Sequence, residues 1–458
     1  LYVAVKTRQQ VAAAGGEVTV DFYLINEKNV RGKHQLKISV TDSQGNITEV
    51  GTYETEAAGG EVYGQLLVKD VKIPVPAAGG LCRIEAKLCK ENSVVTTGYD
   101  DILSVNLASN MLDGKGAVWE DGNALQNFLK GKTKEAVAAY EDNLGKLDWI
   151  MVARPPKKDQ LTMVPMEALR SADGKPGLDV VYYEDMEFQK EVYHEVAKVV
   201  NLSAIEGATP SPFVYMLDGY GIKWSGKVLP SVSGEYTIIP QSNDRSMIEV
   251  FVNGKKIYEI TRKKEHLGDG KVYLEGGKSA DIEIRFRHPR SNARCRLDWA
   301  VPNDKMPDAQ RLMERAVNDG TKIFIIQSAD EWSEFIAANS KAVFKDKFFV
   351  GTNWLGGVMF NKPHDIFKEL PVGNALNWPY QALIHTGVER MGLVMEGEEL
   401  LVGAYHTYPM AIGTAMGIVP MGKGSVLFST LDIYGNIIND SAAGLVAKKL
   451  IFNMIDFK

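Results

Sequence analysis

Cysteine is scarce in this sequence. Three residues among 458 are too few for a disulfide framework. Cys82 and Cys89 sit in one strand-like run at a spacing that points them to opposite faces, so they cannot meet, and Cys295 stands alone. All three read as small buried apolar residues. Long apolar runs are missing too: none approaches the roughly 20 residues that cross a bilayer as a helix, so no membrane-spanning segment is expected. There is no excess of positive charge either. Lys and Arg number 52 against 58 Asp and Glu, a net charge of −6, which argues against a nucleic-acid partner. The opening LYVAVKTRQQV has neither Met nor the basic start of a signal peptide and begins directly on a strand pattern, so we expect the chain to be part of something longer.

What is present is ordinary globular material, 45% hydrophobic and 24% charged, long enough for about three domains. The most ordered pattern lies at Trp224–Ile257. It reads as three strands (226–229, 236–240 and 247–252), with Ile248, Val250 and Val252 facing a core and Asn253-Gly254 marking a hairpin. Residues 1–108 show short alternating strands, such as EVTVDFYLIN and QLKISVT, between Gly-Gly turns. An immunoglobulin-like β-sandwich is expected there. Residues 109–175 run strand (GAVWE), helix (124–129, with a helix-like stretch to Leu144) and strand (DWIMV). Residues 303–458 resume with helices at 308–318, 330–338 and 443–455 and strands at 321–327 and 424–429. The expected fold class is therefore multidomain: an N-terminal sandwich (1–108), a doubly wound α/β domain in two pieces (109–175 and 303–458), and an all-β insert (176–302).

Two resemblances attach to these segments. The insert resembles the protective-antigen-type carbohydrate-binding module through GLDVVYYEDMEF (177–188), IKWSGKVLPSVSGEY (222–236), SNDRSMIEVFVNG (242–254) and RLDW (296–299). The second covers VGTNWLGG (350–357), PHDIFKELP (363–371), LNWPYQ (376–381) and GKGSVLFSTLD (422–432). These are similar to the class I amidotransferase-like domain appended to bacterial family-two, β-galactosidase-like glycoside hydrolases, and residues 1–107 are similar to the sandwich that follows their catalytic barrel. The resemblance implies the accessory region of such a hydrolase, acting on carbohydrate beside a catalytic barrel on the parent chain, periplasmic or secreted in a bacterium.

Sugar-binding members of the module family hold Ca²⁺ on a consecutive acidic pair, and the matching positions here are Asn243 and Asp244. An Asn keeps an oxygen ligand but removes a charge, and an Asx turn without metal accounts for the same two residues. Arg245 and Tyr220 complete the carbohydrate-binding candidates, with Tyr182 and Tyr183 as further stacking surfaces, while Trp224 and Trp299 are assigned to the core. Lys255, Lys256, Arg262, Lys263 and Lys264 make the insert locally basic, which reads as a solvated face or as a site for an acidic polysaccharide. No catalytic residue is assigned. No cysteine lies between 109 and 175 or after 295, so His364, His385 and His406 have no thiol to activate, and Glu389, Glu396 and Asp432 read as solvated or capping carboxylates. The alternative function is a structural assembly whose α/β domain buries a homo-oligomer interface.

Overall fold

The structure is a computed structural model that describes residues 1–457 except 61, 92, 108–110, 157–160, 205–208, 212–215, 217, 243–245, 291–292, 303–306, 351–356, 386–390, 408–409 and 438–441. Strand makes up 51% of the chain and helix 14%, so the protein is mostly β and multidomain. It forms two compact units: Leu1–Asn110 with Pro363–Gln381 and Asn439–Lys458, and Met111–Lys362 with Ala382–Ile438.

The first unit is built on two sheets. One orders Tyr2–Thr7, Glu17–Ile25 and Gly64–Pro74. The other orders Val11–Ala13, Ser93–Val105, Gly80–Lys90, Gly32–Thr41 and Ile47–Ala57. Alternation decides which face is buried: Leu36, Ile38 and Val40 point inward while Lys37 is exposed. The Ala442–Asp456 helix, assigned from sequence to the α/β domain, lies in this unit and packs on Val11–Ala13, Ser93–Val105 and the turn at Asp365–Phe367. Lys449, 5% exposed, ties the turn down: its Nζ donates to Glu369 Oε2 (2.6 Å) and to the Asn106 carbonyl (3.1 Å).

The second unit contains a sheet in which Gly116–Glu120, Trp149–Ala153, Lys322–Ile325 and Gly424–Ser429 run parallel side by side. Ala411–Met421, Met391–Glu396 and Val343–Phe349 extend it antiparallel. The helix read at 308–318 forms at Ala309–Asp319, because Asp308 accepts from the Gln310 and Arg311 amides and Gly320 closes it at φ 78°. The helix-like stretch to Leu144 does not form. Gly131 turns the chain at φ 73°, Thr133 bridges to Leu112, and Ala138–Ala139 joins the sheet as a short strand.

Between Trp149–Ala153 and the Ala309–Asp319 helix the chain builds a complete β-sandwich. One sheet holds Gly234–Ser242 and Ala293–Ala300; the other holds Leu178–Tyr183, Tyr220–Val228, Ala280–His288, Met247–Val252 and Lys255–Ile260. Ile248, Val250 and Val252 are buried, as the alternation requires, and Asn253 (φ 48°) and Gly254 (φ 75°) make the hairpin turn. The sandwich begins ahead of residue 176: Thr162 pairs with Trp299 and Leu169 with Val228, so the incoming and outgoing chain lie side by side.

Candidate functional site

Gly234–Ser242 and Met247–Val252 belong to different sheets. Asn243, Asp244 and Arg245, the carbohydrate and Ca²⁺ candidates, lie outside the described residues. Ser246, which follows them, is buried, and its Oγ lies 3.0 Å from His288 Nδ1. Tyr220 pairs with His288 across the sheet. It is 1% exposed, with its ring 6.5 Å from that of Phe286 and 5.9 Å from that of His288, and in this conformation it presents no face to a sugar. It belongs to the buried core of the sandwich. Trp224 and Trp299 are buried in the same core. Tyr182 is buried as well and donates to Glu195 Oε1 at 2.7 Å.

Beside Met247 the outer surface opens into a cavity of about 740 Å³. Met186 and Glu187 come from the turn after Leu178–Tyr183, Arg262 and Lys264 from the turn after Lys255–Ile260, and Arg287, Pro289 and Arg290 from the end of Ala280–His288. Alternation explains Arg287: in IEIRFRH the residues Ile282, Ile284 and Phe286 are buried, so 283, 285 and 287 face out. Arg287 is fixed on three sides. Its Nε donates to the Met186 carbonyl (3.1 Å), its Nη1 to Glu249 Oε2 (2.9 Å), and its guanidinium lies 4.6 Å from the Phe188 ring centre. Burial raises the Glu249 carboxyl pKa, but hydrogen bonds from Arg287 and Lys256 outweigh it and hold the group below its ordinary range. Phe188 adopts φ 60° and packs against Gly221, where a Cβ would come within 2.7 Å of its ring.

The basic run read from sequence thus divides. Lys256 is spent on Glu249 (3.1 Å) and Glu259 (2.5 Å), while Arg262 and Lys264 turn to the cavity. Arg287 and Arg290, and the wall at Met186–Glu187, were not among the sequence candidates. The outward phase of the RFRHPR stretch was the available signal.

A second cavity, about 650 Å³, opens at the carboxyl ends of two parallel strands and is lined by Trp119, Glu120, Asp121, Tyr140 and Arg154. Arg154 and Asp121 form a buried ion pair at 2.5 Å. Glu120 accepts from the Leu125 and Gln126 amides and from Tyr434 Oη, and burial raises its pKa in spite of these donors. These contacts describe a carboxylate that caps the Ala124–Leu129 helix.

The other sequence candidates do not converge. His364 accepts from the Ile366 amide, Asp432 accepts from the Gly435 amide, and Glu396 pairs with Lys345. Glu389 and the His385 side chain lie outside the described residues. Cys82, Cys89 and Cys295 are buried, and burial pushes the Cys295 thiol far up. Among the described residues no three His, Cys, Asp or Glu converge as a metal site, and no helix is long and apolar enough to cross a membrane.

Residues 174–311 match the family model of the PA14 domain, a type known for carbohydrate binding. Over 127 residues the chain is 28% identical to the anti-sigma-I factor RsgI3 of Acetivibrio thermocellus; the match covers 27% of this chain and 19% of that relative, about a fifth of its length. Among solved structures, an anti-sigma factor domain-containing protein from Clostridium clariflavum is similar at 11% identity and TM-score 0.27, covering 65% of this chain and 86% of that one. A β-glucosidase from Kluyveromyces marxianus is similar at 12% identity and TM-score 0.34, covering 49% and 30%.

Proposed function

We propose that this chain is a non-catalytic accessory region of a glycoside hydrolase, in which the PA14 sandwich binds an oligo- or polysaccharide. The observation that supports this reading is the PA14 match over 174–311, joined to an open cavity of about 740 Å³ on that same segment. In this reading 1–108 is an immunoglobulin-like sandwich, and 109–175 with 303–458 is an amidotransferase-like α/β domain. The catalytic barrel lies on the parent chain, and the protein works outside the bacterial cytoplasm, periplasmic or secreted. The sandwich shapes which substrate reaches the barrel.

A glycan array probed with the whole chain tests the proposal. Retention on at least one class of oligosaccharide, lost when the sandwich is excised, is the expected result. No retention on any neutral or acidic glycan would overturn it. Asn243 in place of an acid weakens a Ca²⁺ site by one charge, so binding is expected to persist unchanged in EDTA.

A further inference from the structure

We propose that the protein has a second saccharide site: a cavity beneath the PA14 sandwich, at the carboxyl end of the Gly116–Glu120 strand, that takes a neutral mono- or disaccharide. Sheet order points there. Ala138–Ala139 lies on one side of Gly116–Glu120 and Trp149–Ala153 on the other. The chain visits the first neighbour before the second, so the strand order reverses at this point. In parallel sheets, ligands lie in the crevice outside the carboxyl ends of such strands. Asp121 and Asn123, which follow the strand, line a cavity of about 360 Å³. Pro165 and Glu167 form another side, and Pro230 and Trp299 of the sandwich complete it. The volume is at the small end of the roughly 300–1,000 Å³ of small-molecule sites. None of these residues lines the outer cavity, so the two sites stand or fall separately.

Two buried polar atoms identify the ligand. Glu167 Oε2 and Trp299 Nε1 have no hydrogen-bond partner among the described residues, although both residues line the cavity. An unanswered buried polar atom is costly, and a ligand that reaches it gains by removing that cost. Neither atom is open to solvent as the side chains stand, so binding includes a small adjustment, for which the half-buried Glu167 has rotamer freedom. Asp121 is already engaged: Arg154 pairs with one oxygen at 2.5 Å and Thr162 Oγ1 donates to the other. Among the described residues no Lys or Arg lines the cavity, so an anion would find no counter-charge. An ammonium would answer Glu167 but has no acceptor for the indole N–H. A sugar hydroxyl both donates and accepts, and neighbouring hydroxyls on one ring satisfy the pair. Pro165 and Pro230, both buried, give apolar walls of fixed backbone for ring C–H groups.

The indole N–H resonances of the isotope-labelled whole chain report on the site, with Trp299 assigned by through-bond correlation to its own backbone. The probes are glucose, galactose, cellobiose and lactose, with putrescine as the amine and galacturonate as the anion. At least one neutral probe is expected to shift the Trp299 signal saturably, and Glu167→Leu to weaken that probe about tenfold or more. The same variant is expected to keep or raise the denaturation midpoint, because it replaces an unpartnered buried oxygen with apolar surface. No saturable shift with any neutral probe, a shift with putrescine or galacturonate alone, or affinity indifferent to Glu167→Leu overturns the site. A fall in the Glu167→Leu midpoint would put the carboxylate at the service of the fold and overturns it too. Retention on the glycan array that survives Glu167→Leu leaves the outer-surface reading standing whichever way these titrations fall; silence in both experiments removes both.

Discussion

At the scale of single residues, the basic cavity depends on a glycine that does not line it. A Cβ on Gly221 would lie 2.7 Å from the Phe188 ring and 2.9 Å from the Asp185 carbonyl. Backbone cannot yield cheaply, so Gly221→Ala is expected to displace the 184–190 turn and cost about 1–3 kcal/mol in chemical denaturation, as overpacked sites do. It should also weaken glycan binding, because Met186 moves with that turn. Two carboxylates then give opposite pH signatures. Glu120 has a folded pKa above its ordinary 4.5, so the native state keeps that proton longer; its contribution is full below 4.5 and is lost as pH rises through the folded value. Glu249 has a folded pKa below 4.5, so its contribution is present above 4.5 and is lost on acidification. Denaturation midpoints of Glu120→Gln and Glu249→Gln relative to wild type, followed between about pH 3.5 and 7, should therefore diverge in opposite directions. Parallel curves would refute the assignment. Neither carboxylate could be singled out from sequence, since each acquires its shift from the tertiary fold: burial for Glu120, which outweighs its donors, Tyr434 included, and the hydrogen bond from Arg287 for Glu249.

At the scale of elements, the parts legible in the sequence were those set by local chemistry. The Asn253-Gly254 turn needs two positive φ angles, and alternation through Met247–Val252 fixes which side is core. Asp308 and Gly320 mark both ends of a helix by their own side-chain and backbone preferences. Where tertiary pairing decides, reading failed: residues 130–144 have helical spacing, yet Thr133 bridges to Leu112 and Ala138–Ala139 is captured by the Gly116–Glu120 strand. The same distinction predicts the cost of breaking the hairpin. A Cβ at Gly254 meets nothing within 4 Å, so Gly254→Val is penalised through the backbone alone. A loss of about 1–2 kcal/mol is expected by urea denaturation, with Gly254→Asn costing less because Asn tolerates the left-handed region. Equal losses for the two variants would point to contacts and away from conformation. The candidate site was half-legible for a related reason. Arg262 and Lys264 announce themselves as a charged run, whereas Arg287 and Arg290 become part of the cavity only once the sheet brings the end of Ala280–His288 beside that turn.

At the scale of the molecule, the sandwich interrupts one strand–helix–strand crossover, since Trp149–Ala153 and Lys322–Ile325 are parallel neighbours and the sandwich lies in the connection between them. Such a guest is removable only if its two ends meet. They do: Thr162 and Trp299 are ladder partners, which puts their Cα atoms about 4.5–5.5 Å apart. Excising 162–299 and closing the gap with a short turn should leave the parallel sheet folded and helical by circular dichroism, monodisperse in light scattering, and unable to bind glycan. Excising 176–302, the border the sequence suggests, is expected to behave differently. It strips Leu169 of its partner Val228 and exposes Val164, Ala168 and Leu169, which are 1%, 5% and 0% accessible in the intact sandwich. An orphaned apolar strand of this kind is a template for pairing between chains, so that protein should aggregate. If both excisions aggregate, the host layer depends on the sandwich for its own stability and the two are one cooperative fold; if both stay soluble, the pairing at 162–170 contributes nothing to where the guest begins.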